Sequence, residues 1–398
     1  MPHIQFTKND LIKTPCEQDG VNFNFCAKSY NFTQKHRKTE YKIAVRNDNK
    51  DFLLTLKEKD DSLLIKADKV TRVTPVDIVK SALNAYVKAI DGNIEFSNTN
   101  NFHQRVEPEK EYLKDIEYFV NDFNPNREIQ IEVGFGSGRH LIHQAIQNPD
   151  VLFIGLEIHT PSIEQMLKQV KLQNITNILA INYDARLFME FIHSNKVGKI
   201  FVHFPVPWDK KPHRRVYSNE FINEALRVLK IGGTLELRTD SRKYFDYCTH
   251  LLTNLNKGRI TIDINKDLEV SSKYEDRWKK QGKNIYDVVL NCSQEDEEKI
   301  VENNFDFEQK VNFDEIKETI ETKPIVRQDY FLHLEVIYIT EDNTVLIKLT
   351  FGSFNRPLSK YIMIKNGDVS YFQGNPIPTS ANLKAHQELK KILTNDNS

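Results

Sequence analysis

The chain has 398 residues, 39% hydrophobic and 28% charged; that length suits two or three modules with real cores and excludes wholesale disorder. Fourteen glycines and fourteen prolines exclude collagen-like and proline-rich low-complexity designs. With 55 basic and 56 acidic side chains the formal net charge is −1, so a polyanion would meet local patches and not a uniformly basic surface.

The chain opens on MPHIQFTKNDLIK, without the apolar stretch of a signal peptide. Nowhere does it reach the roughly 18 apolar residues of a membrane span. Residues 27–50 are basic, with Tyr30, Phe32 and Tyr41 among Lys28, Lys35, Arg37, Lys38 and Lys42. That composition suits an RNA contact or a solvated face. Short strands are predicted at 41–46, 51–57 and 62–68, followed by an amphipathic helix at 76–90 behind Pro75.

From 127 to 292 the pattern changes. Strand-like runs at 129–133, 152–158, 178–184, 199–205 and 234–240 alternate with helical stretches at 139–147, 161–172, 185–193, 219–229 and 242–255. Apolar strands separated by helices predict a mostly parallel sheet covered on both faces, a doubly wound Rossmann-like α/β domain. Residues 259–264 and 284–291 are expected to pair antiparallel at its edge.

Residues 293–322 are strongly acidic and read as a solvated helix or a linker. Strands at 333–340, 344–351, 361–365 and 368–372 then alternate as a meander, and a helix at 381–393 closes the chain. No internal repeat is evident. The expected division is an N-terminal α+β extension (1–126), the Rossmann-like domain (127–292), an acidic linker (293–325) and a β-rich C-terminal extension (326–398). The two terminal regions form separate β domains or pair into one; the sequence leaves both open. Cys16, Cys26, Cys248 and Cys292 are scattered without a CxxC pair, so a reducing cytoplasm is expected and a metal site is not.

The sharpest local signal is IEVGFGSG at 131–138, ending one strand and opening a helix. Gly134, Gly136 and Gly138 permit a tight turn and close approach of a ligand to the backbone. The spacing GxGxG fails the dinucleotide pattern. Glu132, just before the first glycine, suits a ligand with a cationic amino group. Glu157 ends the next strand, where a carboxylate can accept both hydroxyls of a ribose. Asp184 ends the third, in position to accept from an adenine amino group. Each acid alone is equally well read as a helix cap; the three together with the glycines favour S-adenosylmethionine.

The fourth strand runs into HFPVPWDKKPHRR at 203–215. Two prolines around Val206 stiffen this loop. Trp208 offers a stacking face, and Lys210, Lys211, Arg214 and Arg215 supply cations that seek phosphate. A packing role for Trp208 is equally open.

These residues resemble the bacterial tRNA (guanine-N7-)-methyltransferases. The resemblance covers 127–292 and rests on EVGFGSGRH, FIGLEIH, NYDA, the two-proline basic loop, LRTD at 237–240 and SKYEDRWKKQGKNIYD at 272–287. It implies a class I methyltransferase fold and methyl transfer from S-adenosylmethionine to N7 of a tRNA guanosine, at position 46 of the variable loop. It also places Glu132, Gly134, Gly136, Gly138, Glu157 and Asp184 on the cofactor. Lys210, Asp240, Ser272, Lys273, Tyr274 and Glu275 fall on the tRNA side, where the charge of Arg214 and Arg215 also places those two. The partner implied is tRNA, with no membrane and no obligate protein.

One position departs from the pattern. The family loop usually reads Phe-Pro-Asp-Pro-Trp, and its Asp is commonly assigned to the active site; here the residue is Val206. The catalytic residue is therefore unassigned, with Asp240 the first candidate and Glu275 or Asp209 the alternatives. The competing expectations are an inactive tRNA-binding protein and a methyltransferase of another substrate class.

Overall fold

The computed structural model describes residues 1–7, 10–30, 39–59, 62–73, 76–99, 111–255, 258–267, 281–299, 303–317 and 323–394. They fall into two compact units, Arg105–Ile300 and a second made of Met1–Gln104 with Val301–Ser398.

In the first unit eight strands form one sheet: β1 (Leu113–Lys114), β2 (Ile129–Val133), β3 (Leu152–Leu156), β4 (Ile178–Ile181), β5 (Val197–His203), β6 (Leu229–Thr239), β7 (Arg259–Ile264) and β8 (Tyr286–Asn291). Their order is 7-8-6-5-2-3-4-1. Strands β1 to β6 are mutually parallel where they pair, and β8 lies antiparallel between β6 and β7. Among the described residues the α-helices are α1 (Ile116–Asn121), α2 (Arg139–Gln147), α3 (Thr160–Leu172), α4 (Ala185–Phe188), α5 (Asn219–Val228) and α6 (Arg242–Thr253). Strand order reverses between β2 and β5, which opens a crevice at their carboxyl ends, the usual place for a ligand in such a sheet.

The doubly wound sheet and its antiparallel edge match the expectation. The covering differs. Every residue of β2 and β3 is buried, as two covered faces require. On β5, β6 and β8 one face is apolar and the other largely polar. Register places Ile200, Val202, Leu235, Leu237, Val288 and Leu290 on one face, where α5 and α6 pack. The other face carries Lys199, His203, Glu236, Arg238 and Asp287 and borders a cavity of about 250 Å³ against α2. Strand β1 and α1 escape the local pattern because each is so short; Leu113 nevertheless pairs with Ala180, and Phe119 packs on Phe123 and Phe188.

The second unit settles the open question about the terminal regions, for they share one 12-stranded sheet. Strands Val21–Ser29, Glu40–Asn47, Lys50–Lys59 and Ser62–Ala67 form a meander followed by the helix Val76–Ala89. Strands Phe331–Thr340, Val345–Gly352, Leu358–Lys365 and Asp368–Tyr371 do the same and are followed by the helix Ser380–Leu393. The two meanders meet by antiparallel pairing of Ala27, Lys28 and Ser29 with Thr340, Ile339 and Tyr338. The unit is thus a repeat in topology, although none shows in the residues. Each helix covers its own core, Tyr86 and Leu83 over Phe6, Phe23 and Leu54, and Ala385 and Leu389 over Leu334, Ile347 and Ile362.

Part of the acidic segment belongs to this architecture: Phe305, Val311 and Ile316 are buried in the second core. Lys42 is also not the surface cation its basic stretch implies. It is 3% exposed, and its Nζ lies 2.8 Å from Thr55 Oγ1 and 2.9 Å from both Asp68 Oδ2 and Glu40 Oε1. Lys35, Arg37 and Lys38 lie outside the described residues. No helix among the described residues is long and apolar enough to cross a membrane.

Candidate active site

The turn after β2 is built from glycines in the left-handed region, with φ of 70° at Gly134, 54° at Gly136 and 72° at Gly138. A β-carbon on Gly138 would sit 2.3 Å from Met166, so this glycine is needed for α2 to dock on α3. At Gly134 and Gly136 a β-carbon would meet nothing within 4 Å. The backbone there faces open space, the cradle that a ligand approaching the main chain requires.

Glu157, just past β3, reaches back to this turn. Its Oε2 accepts from the Gly136 amide at 3.0 Å, and its Oε1 accepts from the amides of Ile158 at 2.8 Å and His159 at 2.9 Å. A carboxylate offers about four acceptor positions, so capacity remains for a ribose hydroxyl.

Glu132 is buried, and its Oε2 lies 2.8 Å from Nδ1 of His140 on α2. The ring of His140 stands 4.5 Å from that of His203, at the end of β5. Burial, with His140 and then Arg238 nearby, holds the His203 imidazole well below its usual range, so it is neutral at neutral pH. Glu132 therefore ties α2 to the end of β2, with the His203 ring packed against His140.

Asp184 is both cap and candidate. It accepts from the Arg186 amide at the start of α4 and holds the Arg186 guanidinium in a fork, Nε to Oδ1 at 3.0 Å and Nη2 to Oδ2 at 2.6 Å.

The basic loop is held from inside. Phe204 and Trp208 have φ of 50° and 45°, conformations a bulky side chain seldom adopts. The Phe204 amide donates to the Arg238 carbonyl at 2.6 Å. Arg215 donates to the Pro207 carbonyl at 2.8 Å and lies over the Tyr247 ring at 4.3 Å. It is a strut within the loop, whereas Lys210, Lys211 and Arg214 are exposed, with Arg214 over Trp208 at 5.2 Å. Val206 is 60% exposed.

Asp240 follows β6 and is bound by Lys283, Nζ to Oδ2 at 2.8 Å. Beneath it Arg238, 1% exposed, is neutralised by Asp287 at 2.6 Å and donates to the Lys266 carbonyl. Ser272, Lys273, Tyr274 and Glu275 lie outside the described residues.

The sheet thus brings Glu132, the glycines, Glu157, Asp184, the basic loop and Asp240 to the carboxyl ends of five strands, β2 to β6. His140, Arg186, His203 and Lys283 were not singled out from sequence. The readable traces were an arginine two residues beyond Asp184 and a histidine closing EVGFGSGRH.

A family model described as "Putative methyltransferase" matches residues 126–288. Three curated proteins named tRNA (guanine-N(7)-)-methyltransferase are similar to the chain throughout. That of Wolinella succinogenes is 41% identical, covering 99% of this chain and 100% of the relative. For Helicobacter hepaticus the values are 38%, 100% and 100%, and for Campylobacter fetus 36%, 99% and 99%. The terminal regions, outside the motifs that carried the resemblance, lie inside these alignments. Identity of 36–41% sustained over the full length of these relatives shows that the chain belongs to the tRNA (guanine-N7-)-methyltransferase family, whose methyl donor is S-adenosylmethionine.

Proposed function

We propose that the protein transfers the methyl group of S-adenosylmethionine to N7 of a guanosine in tRNA, in the cytoplasm, and that it does so with valine at position 206. What carries this reading is one juxtaposition. An open glycine cradle flanked by Glu157 and Asp184 lies at the carboxyl ends of the strands that also present the basic loop. When bound, S-adenosylmethionine supplies an electrophilic methyl on a sulfonium.

The chain's own tasks follow from the chemistry of the acceptor. Guanine N7 holds an in-plane lone pair and carries no proton, so no side chain has to act as general base before attack. What remains is binding and orientation. Glu157 is assigned to a ribose hydroxyl and Asp184 to the adenine amino group. Glu132 supports the glycine turn through His140. Lys210 and Arg214 meet tRNA phosphates, with Arg215 keeping their loop in shape. Asp240 accepts from the guanine N1–H and N2 amino group, and the family resemblance assigns Ser272, Lys273, Tyr274 and Glu275 to tRNA contact.

Incubation of the protein with labelled S-adenosylmethionine and unmodified tRNA, followed by nucleoside analysis, tests the reaction. Label in 7-methylguanosine is the expected result. tRNA binding without any label transfer would make the chain an inactive binding protein.

Two variants examine the roles. Asp240→Ala should lower single-turnover methylation by about 10-fold or more, the equivalent of one or two hydrogen bonds, while cofactor affinity changes little. Replacing Lys210 and Arg214 together with glutamine should weaken tRNA binding and flatten its salt dependence. Each lost phosphate contact lowers the slope of log K against log salt by about 0.7–0.9. An unchanged slope would make the pair a solvated face.

A further inference from the structure

We propose that Arg186 is a positioning residue that couples the cofactor crevice to the tRNA-binding loop. The proposal rests on the reading above, in which Asp184 faces the cofactor and the 203–215 loop faces tRNA.

The geometry is a single guanidinium shared between two elements. Nε and Nη2 grip both oxygens of Asp184, at 3.0 and 2.6 Å. Nη1 donates to the His213 carbonyl at 3.3 Å, 27 residues further along the chain. His213 is the middle residue of the turn Pro212–Arg214, and the amides of Arg214 and Arg215 close that turn onto Lys211 and Pro212. The Arg186 and Asp184 side chains are largely buried, which shields the fork from competing water, whereas the bond to the His213 carbonyl is exposed.

Two consequences follow. The fork fixes the Asp184 carboxylate in one orientation before any ligand arrives, which removes an ordering cost from binding. Of the four acceptor positions on that carboxylate, Oδ1 takes the Arg186 amide and Nε while Oδ2 takes Nη2, which leaves capacity on Oδ2 for a donor from the ligand. A ligand amino group on Oδ2 and a phosphate on the neighbouring cations both favour the arrangement in which the fork and the carbonyl bond coexist. By linkage, each ligand then tightens the other by the same factor.

Only an arginine can hold the arrangement. A lysine places one ammonium near Asp184 and keeps the charge, but has no planar fork to reach the carboxylate and the carbonyl together. The test therefore compares native protein with Arg186→Lys and Arg186→Met, with S-adenosylhomocysteine as the cofactor probe and unmodified tRNA as the second ligand. In native protein the cofactor product should tighten tRNA binding by about 5-fold or more, the lower end of typical allosteric couplings. In Arg186→Lys the tightening should fall below about 2-fold while S-adenosylhomocysteine still binds. Arg186→Met should lose the tightening and part of the product affinity as well.

A second readout needs no cofactor: amide hydrogen exchange at Arg214 and Arg215 should accelerate in both variants of the free protein. If Arg186→Met fails to fold, Arg186→Lys decides alone. Native protein that binds both ligands without tightening, or Arg186→Lys that tightens as the native protein does, would overturn the proposal. Native protein that binds tRNA but not S-adenosylhomocysteine would instead overturn the reading on which the proposal rests.

Discussion

Replacing Glu157 with alanine should weaken S-adenosylmethionine binding by about 10- to 150-fold, the equivalent of roughly 1.5–3 kcal/mol for hydrogen bonds to a charged group. The carboxylate has two duties in this structure. It offers acceptor capacity to the ribose, and it gathers the amides of Gly136, Ile158 and His159 so that the glycine turn and the end of β3 keep their spacing. Truncation removes both. The three amides border an exposed segment, so water can take them over and the fold should lose little stability. Glu157→Gln should fall between alanine and native protein: it keeps one acceptor oxygen and turns a donor toward donors. Calorimetric titration measures the effect, and an affinity unchanged in Glu157→Ala would remove this residue from the site.

Lys42→Ala should cost the terminal unit about 3–5 kcal/mol, because removing one partner of a buried ion pair strands the other charges. Asp68 would be left buried with the hydroxyls of Thr55 and Tyr361, and Glu40 with Tyr338 and the half-exposed Lys57. Burial alone would raise the Glu40 carboxyl, but the Lys42 charge and hydrogen bonds from Lys57, Lys42 and Tyr338 outweigh it and bring the pKa down to about 2. Asp68 is likewise lowered: burial is opposed by the charge and hydrogen bond of Lys42 and by the amides of Val70 and Thr71. A carboxylate with a depressed folded pKa contributes stability that is present above its ordinary range. That stability is lost as pH falls from about 4 toward 2. Native protein should therefore become less stable over that window, and Lys42→Ala should show a shallower loss from a lower starting point. Amide exchange of the strand Glu40–Asn47, followed as a function of pH, reads this unit separately from the other. Equal protection in variant and native protein would contradict the account.

The parallel half of the sheet was legible because its strands and helices are local patterns. Residues 129–133 and 139–147 coincide with β2 and α2 to the residue. The placement of the glycine turn and of the acids after β3 and β4 was legible for the same reason: their positions follow from the strand ends. The partners each side chain takes were not. Asp184 reads equally well as a cap or a ligand, and the structure uses it as a cap while leaving it acceptor capacity. Arg215 looks like its neighbour Arg214 in sequence; only the placement of Tyr247 and the Pro207 carbonyl separates a strut from an exposed cation.

Lys42 was misread for a related reason. The groups that bury it include Tyr338 and Tyr361, roughly three hundred residues away, and no local pattern carries that pairing. The repeat in the terminal unit is a repeat of strand order and burial, in which pairing of Ala27–Ser29 with Tyr338–Thr340 joins the two halves of the sheet. Sequence identity between the halves is not needed for either.

On the proposed reading, guanine N7 methylation here needs orientation and no carboxylate at position 206. Val206 is exposed, so an aspartate placed there would stay hydrated until tRNA binds, and its effect on a reaction without proton removal should be small. Single-turnover methylation of unmodified tRNA by native protein and by Val206→Asp measures this directly. Both should yield 7-methylguanosine, at rates within about 10-fold, a difference of about 1.4 kcal/mol or less in the barrier. A native protein inactive on every tRNA, made active by Val206→Asp, would contradict it.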